Sequence, residues 1–436
     1  MTRFLFLLLC ACTGGKEDPA DDSAPTWAED VAPIYAASCM GCHQEGALGP
    51  MGLSSYEEAA QWGAASIAAI ESRTMPPWGA EGPSGHGGEA LADDVPAPGS
   101  CDNEYADSLW LTDDEIAVVR DWFDAGMPEG GADEVEVPTP DGLEQVDLTV
   151  ATPSFVPEAT SGSGGEYDEY RCFVIDPGLE EDRWLTAYDV VPGNDAIVHH
   201  VIAMPVAPTD SNLARIAAQD GADGRDGWTC FSQAGQGIDV EGEYVAWAPG
   251  QGAVHLPEGS GLEINAGDLL VVQMHYNMVS TDNSPDSTAI NMALEASVER
   301  PAQLVLVDLW ERETLSAGGS AEVISWQIGE RSLSGAVGMD AVTIEGIMPH
   351  MHELGRQLTV EVGPPDDMQC VTGVRSWDFG WQRVYFYDEP VSVGEQNTLR
   401  VSCTFDLSGV DHDVSWGWGT QDEMCLVGLY VTDATP

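Results

Sequence analysis

Hydrophobic and polar positions follow two different periods along the chain. Between about residues 26 and 130, apolar side chains recur at helical spacing, beginning with Trp27 to Ala37. Ser55-Tyr56-Glu57-Glu58 is a capping box that opens an alanine-rich helix running to about Arg73. Thr112-Asp113-Asp114-Glu115 is a second box, after which Ile116, Val119, Trp122 and Phe123 share one face until Gly126 stops the helix. From about residue 145 onward the period shortens to two. Segments such as Leu269 to Tyr276 and Gln357 to Val362 are short, rich in β-branched residues and bounded by Gly, Pro, Asn and Asp turns. A weak helical period survives only near Asn212 to Ala218.

The predicted fold is therefore mainly β: two tandem antiparallel, jelly-roll-like β-sandwiches preceded by a small helical domain. The boundaries read as follows: a leader and tether over 1–25, the helical domain over 26–130, a Gly/Pro/acidic linker over 131–144, and sandwiches over 145–300 and 301–436. The sandwich boundary is expected near Arg300-Pro301.

Charge narrows the partners. Fifteen basic residues against 74 acidic ones give a net charge of −59, which rules against nucleic-acid backbones and anionic lipid surfaces. It favours a soluble protein in a medium whose salt screens self-repulsion. The only lysine is Lys16.

At the start, Arg3 precedes a short apolar run, Phe4 to Leu9, and then Cys10-Ala11-Cys12-Thr13-Gly14-Gly15. The run is too short to span a bilayer. Leu9-Cys10-Ala11-Cys12 resembles a bacterial lipobox, with cleavage before Cys12 and lipid on its sulfur; the other reading is an ordinary secretory signal. Both imply export, to the periplasm or cell surface of a bacterium, with membrane attachment only through the lipid. In that oxidising setting Cys101, Cys172, Cys230, Cys370, Cys403 and Cys425 are expected to be disulfide partners rather than thiolate ligands.

Two further cysteines have a different context. In Cys39-Met40-Gly41-Cys42-His43, the spacing lets two thioethers and an axial imidazole reach one haem from a single helical turn. A redox dithiol is the competing reading. Met75, in a stiff Thr-Met-Pro-Pro-Trp loop, is the leading sixth ligand, with Met51, Met127 and His86 as rivals. The sequence around Met75 resembles small bacterial c-type cytochrome domains.

The chain has nine histidines, and five outside the haem motif fall into short clusters. On a strand, His350 and His352 project to one face and can reach one metal. His275 shares a face with Gln273 and Val271, while Leu270, Val272, Met274 and Tyr276 point to the core. The adjacent His199 and His200 can serve one ion only if the backbone bends there, as at a bulge or strand end. Imidazoles suit copper or zinc, and a thioether from Met424 shifts the preference toward copper. His255 and His412 receive no role, and Asp422 and Glu423 read as solvated loop acids, the alternative being that they tune the site beside Met424.

Four of these motifs, taken in order, resemble the copper type II, ascorbate-dependent monooxygenases, the family of peptidylglycine α-hydroxylating and dopamine β-monooxygenases. They are Val198-His199-His200, Gln273-Met274-His275-Tyr276, His350-Met351-His352-Glu353-Leu354-Gly355-Arg356 and Asp422-Glu423-Met424-Cys425. The resemblance implies two linked β-sandwiches, each holding one copper across a solvent-filled cleft. It assigns His199, His200 and His275 to an electron-storing copper, and His350, His352 and Met424 to the copper that meets dioxygen and substrate. It further implies Cys172–Cys230 and Cys403–Cys425 disulfides, leaving Cys101 and Cys370 to pair with each other or stay free.

One departure bears on substrate. Positions that bind a substrate carboxylate in peptide-amidating members are here Met348, Leu426 and Gly428, so a carboxylate-anchored substrate is not expected. The expected activity is hydroxylation of a C–H bond in an unidentified small molecule with dioxygen. Two copper ions and one covalent haem c would serve it, with electrons from an ascorbate-like reductant or a periplasmic redox protein relayed through the haem. Competing readings are an electron-transfer or copper-holding lipoprotein, and a haem protein whose sandwiches only bind.

Overall fold

The computed structural model describes residues 24–434 except 45–48, 50, 77, 81–100, 102, 107, 132–141, 159–167, 231–233, 241, 243, 248–250, 279–283, 309, 311–313, 317–323, 334–336, 340, 380, 395–396 and 418–421. Cys12, Lys16, His86 and most of the 131–144 linker lie outside the described residues.

The helical part begins with a π-helical turn, Trp27–Val31, that runs into the helix Ala32–Ser38. The helix Tyr56–Glu71 follows, with both halves of its capping box formed by Ser55 and Glu58. It ends two residues before the expected Arg73, which adopts a left-handed φ of 57°. The helix Asp113–Asp124 is capped the same way by Thr112 and Glu115, and Gly126 turns the chain at φ 83°. Trp27, Tyr35, Met40, Leu53, Ile70, Val119 and Trp122 fill the core between these helices. The weak period near Asn212 is a real helix, Asp210–Gln219, capped by Thr209.

Among the described residues, three sheets build the rest. The five-stranded sheet runs in the order Trp228–Thr229, Asp168–Ile175, Leu269–Asn277, Val198–Val206, Val245–Trp247. The four-stranded sheet runs Ile324–Ser332, Thr398–Asp406, Gly355–Gly363, Gln369–Val374. A nine-stranded sheet faces both. Its path is Leu148–Ala151, Ala289–Glu295, Arg183–Val191, Ser260–Ile264, Arg300–Asp308, Leu426–Asp433, Val342–His350, Tyr385–Val393, with Val254–His255 attached beside Arg183–Val191. Its first half packs on the five-stranded sheet, where Val201, Leu270, Val272, Met274 and Tyr276 meet Leu185, Val190, Ile264, Ile290 and Met292. Its second half packs on the four-stranded sheet, where Ile344, Ile347, Leu429 and Val431 meet Leu358, Val360, Leu399, Val401 and Phe405. Each such side chain contributes roughly 1.5–3 kcal/mol on leaving water.

Two separate, wholly antiparallel sandwiches were expected, and here the structure differs. The large sheet is continuous through Arg300-Pro301, because one strand pairs in parallel with Ser260–Leu262 through Arg300–Ala302 and antiparallel with Leu426–Thr432 through Ala302–Asp308. The Ser260 and Tyr430 hydroxyls hydrogen-bond across this joint at 2.9 Å, and Arg300 pairs with the buried Glu345. Local alternation gives no sign of a pairing made across this sequence distance.

The structure pairs Cys172 with Cys230, Cys403 with Cys425, and Cys101 with Cys370, the last across a sequence separation of 269. The Cys101–Cys370 bond pins the stretch between two helices onto the second sandwich. Trp78, Ala80 and Tyr105 enter that sandwich's core, and bridges form at Ala80–Val374 and Tyr105–Tyr387. Among the described residues, no helix is long and apolar enough to cross a membrane.

Candidate metal centres

The first centre rests on the bulge that adjacent histidines require. Along the pairing of Val198–Val206 with Leu269–Asn277, Val198 faces Tyr276 and His200 faces His275, so the register slips by one residue at His199. The slip turns both imidazoles toward His275. Nδ1 of His275 lies 3.3 Å from Nδ1 of His199 and 3.4 Å from Nδ1 of His200. Donors about 2.0–2.1 Å from one shared ion have separations of this size. The opposite ring edge of His275 is fixed by Asp168, whose Oδ1 sits 3.2 Å from Nε2, and Tyr170 stacks on the ring at 4.1 Å. Burial and mutual repulsion push His199 down to about 4 and His200 well below the usual histidine range. Neutral imidazoles are what a metal needs.

The second centre lies where Val342–His350 ends. His352 is beyond the strand, so the two histidines do not share a strand face as expected; the chain turns after His350. Their rings nevertheless meet edge to face at 5.2 Å. Nδ1 of His350 donates to Oε1 of Gln382 at 2.5 Å, and Nδ1 of His352 donates to the Asp422 carbonyl at 3.0 Å. Both bonds leave Nε2 for a ligand, the reverse of the edge used at the first centre. Met424 is buried, two residues before Leu426, which pairs with His350.

Glu423 is not the solvated loop acid expected. It is fully buried and accepts backbone amides from His352 at 2.9 Å, Leu354 at 2.6 Å and Met424 at 3.2 Å. It thereby ties the His352 turn to the segment that carries Met424. Burial pushes its carboxyl up to about 7 against those three bonds.

One loop, Trp377 to Arg383, was not singled out from the sequence, yet it reaches both histidine clusters. Trp377 donates its indole N–H to the His352 carbonyl at 3.0 Å. The Phe379 ring stands 6.3 Å from His199, 6.1 Å from His200 and 5.9 Å from His352, so it lies between the two histidine clusters. Gln382 holds His350, and Arg383 lies 4.5 Å over the Trp78 ring. The density of aromatics in Trp377-Asp378-Phe379-Gly380-Trp381 was the available signal.

Beside the helices is a cavity of about 570 Å³, lined by Cys39, Cys42, His43, Met51, Met75 and Ile70 among others. Its size is that of a small-cofactor pocket. His43 is buried and its Nδ1 donates to the Met51 carbonyl at 3.2 Å, which frees Nε2. Cys39 and Cys42 form no disulfide, and burial pushes the Cys39 thiol up to about 12 and Cys42 in the same direction. Met51 and Met75 both line the cavity, whereas Met127 packs beside Gly63 in the helical core.

Met348, Leu426 and Gly428 lie beside the second centre, with Met348 opposite Gly428 and Leu426 opposite His350. A Cβ on Gly428 would stand 3.2 Å from Met348 and 3.3 Å from Leu306, so this wall is apolar and carries no cation. His255 and His412 are exposed and stand apart from both centres.

Residues 331–433, which contain His350, His352 and Met424, match the family described as copper type II ascorbate-dependent monooxygenase, C-terminal domain. Dopamine beta-hydroxylase from Canis lupus familiaris is 22% identical over 247 residues, covering 54% of this chain and 38% of that protein. These two matches support kinship with the copper monooxygenases. The chain spans 38% of that relative's length. Among solved structures, a tandem CBM22 domain from Paenibacillus barcinonensis is 10% identical, covers 68% of this chain and 96% of its own, and scores a TM of 0.18. A Paenibacillus xanthan lyase is 10% identical over 72% of this chain and 29% of its own, with a TM-score of 0.14. Neither likeness carries a structural argument.

Proposed function

We propose that the chain is an exported dicopper monooxygenase that hydroxylates a C–H bond of a small organic molecule with dioxygen, fed by electrons through a covalent c-type haem. The observation that carries the reading is the pair of imidazole clusters on either side of Phe379. When bound, copper at these clusters supplies electron storage at one centre and dioxygen chemistry at the other.

The chain supplies geometry. His199, His200 and His275 present three Nδ1 atoms to the first ion, and Asp168 fixes the tautomer of His275. His350 and His352 present Nε2 to the second, and Met424 adds the soft donor that favours copper. Met348, Leu426 and Gly428 favour an apolar substrate without a carboxylate anchor. Cys39 and Cys42 would bind the haem vinyls, with His43 and Met75 as axial ligands and Met51 the rival within the cavity. Three disulfides fit an oxidising compartment, and Cys12 is the proposed lipid attachment point.

Copper per haem, measured in copper-reconstituted protein and in its His275→Ala and Met424→Ala variants, tests this. Two coppers per haem, with one lost selectively in each variant, is the expected result. Less than one copper, or no change in either variant, overturns it. Full metal loading with no oxygen-dependent product across a panel of apolar substrates would instead favour an electron-transfer or copper-holding protein.

A further inference from the structure

The haem-side cavity is not closed by the helical part alone. Its lining includes Leu109, His199 and Trp381, of which His199 belongs to the first copper centre and Trp381 to the loop that also carries Phe379. A group held by Cys39, Cys42 and His43 would therefore have a metal-ligating imidazole as part of its wall. This inference rests on the haem and dicopper reading above. We infer that His199 and Trp381 form a fixed electron-entry wall, through which the haem reduces the three-histidine copper directly, within one molecule.

Three observations support the wall as a rigid contact rather than a chance approach of two tethered domains. The Cys101–Cys370 disulfide anchors the chain between the helices to the second sandwich. Around it, Asn103 donates to the Val371 carbonyl at 2.5 Å, Ala106 to the Phe386 carbonyl at 2.9 Å and Asp388 to the Glu104 carbonyl at 3.0 Å. Nearer the cavity, the Gly79 amide donates to the Tyr385 hydroxyl at 3.3 Å, and Arg383 stacks over Trp78. These contacts hold the cavity mouth against Trp381.

His199 suits this place chemically. It is the extra residue of the strand slip, so its ring stands at the margin of the centre, with Nδ1 on the metal side. The step is a single electron transfer. One electron leaves ferrous haem, which becomes ferric, and one arrives at cupric ion, which becomes cuprous; no proton moves and no bond forms. An external one-electron reductant then restores the ferrous haem. The order of delivery follows: the three-histidine centre is reduced before the centre at His350 and His352.

The test uses the full chain with haem and copper contents measured first, so that failure of the dicopper or haem reading appears as missing metal or haem. In fully loaded protein, the fast-relaxing ferric haem should speed the spin relaxation of cupric ion at the three-histidine centre seen by electron paramagnetic resonance. With the haem reduced and copper oxidised under anaerobic conditions, haem reoxidation should be first order and independent of protein concentration. Trp381→Ala should slow it several-fold while leaving both metal contents unchanged, and Trp381→Phe should restore most of the rate. Leu109→Ala offers a second probe of the same wall if Trp381→Ala fails to fold. A loaded protein whose copper relaxation ignores the haem, or whose reoxidation rate scales with protein concentration, overturns the proposal.

Discussion

Asp168 Oδ1 lies 3.2 Å from Nε2 of His275, on the ring edge opposite the one turned toward His199 and His200. The same carboxylate oxygen accepts the Asn277 amide at 2.9 Å, so its position is set from two sides. A carboxylate in this position fixes which nitrogen carries the proton and strengthens the other as a donor. Asp168→Ala is therefore expected to weaken copper binding at the first centre by about 10–100-fold. Competition against a copper chelator reads this directly. Unchanged affinity would mean that Tyr170 stacking alone orients the ring.

Gln382 plays the matching part for His350, accepting from its Nδ1 at 2.5 Å. Gln382→Leu should weaken the second centre by about 10-fold or more and leave the first centre and haem attachment as they are. X-ray absorption at the copper edge, which separates a site with sulfur from one without, distinguishes the two. Loss at the first centre instead would show that Gln382 supports the loop rather than the ligand.

Little of this shell is legible in the sequence, and the reason is physical. The slip at His199 is what two adjacent imidazoles need in order to face the same way, a constraint that neighbouring residues alone express. The helix caps are equally local, since Ser55 with Glu58 and Thr112 with Glu115 act within one turn. Asp168, Gln382 and Phe379 reach the ligands only through the packing of distant strands and loops, and no period or spacing announces that. The turn after His350 was misread because His-x-His fits a strand as well as a strand end. The burial of Glu423 was missed for a related cause: its partners are backbone amides, which look alike in every sequence.

Removing the Cys101–Cys370 bond by a double Cys→Ser substitution is expected to cost about 2–4 kcal/mol of stability. The haem should remain attached, because Cys39 and Cys42 take no part in that bond. Thermal unfolding under non-reducing conditions checks the first statement and haem absorbance the second. An unchanged Tm would mean that the aromatic contacts of Trp78 and Tyr105 suffice to hold the stretch.

Acid stability should depend on Asp223. Its hydrogen bonds to the fully buried Arg171 hold its carboxyl below the usual carboxylate range. A depressed folded pKa gives a contribution that is fully present above the unfolded value, about 3.9, and is lost as pH falls through the folded one. The Tm of the native protein should thus fall more steeply below about pH 4 than that of Asp223→Asn, with the two curves parallel above it. Curves parallel throughout would show that the carbonyls of Asp226, Arg225 and Gly227 satisfy Arg171 by themselves.

The parallel pairing of Arg300–Ala302 with Ser260–Leu262 makes one sheet out of what the chain writes as two halves. The two histidine clusters then stand as marks on a ruler held by that sheet's main-chain pairing at His350 and by side-chain packing of the five-stranded sheet at His199, His200 and His275. On the proposed dicopper reading, turnover on such a frame has to carry reactants to stationary metals. Variation in reactivity among proteins built this way would fall to the residues between the marks, of which Phe379 is the foremost here.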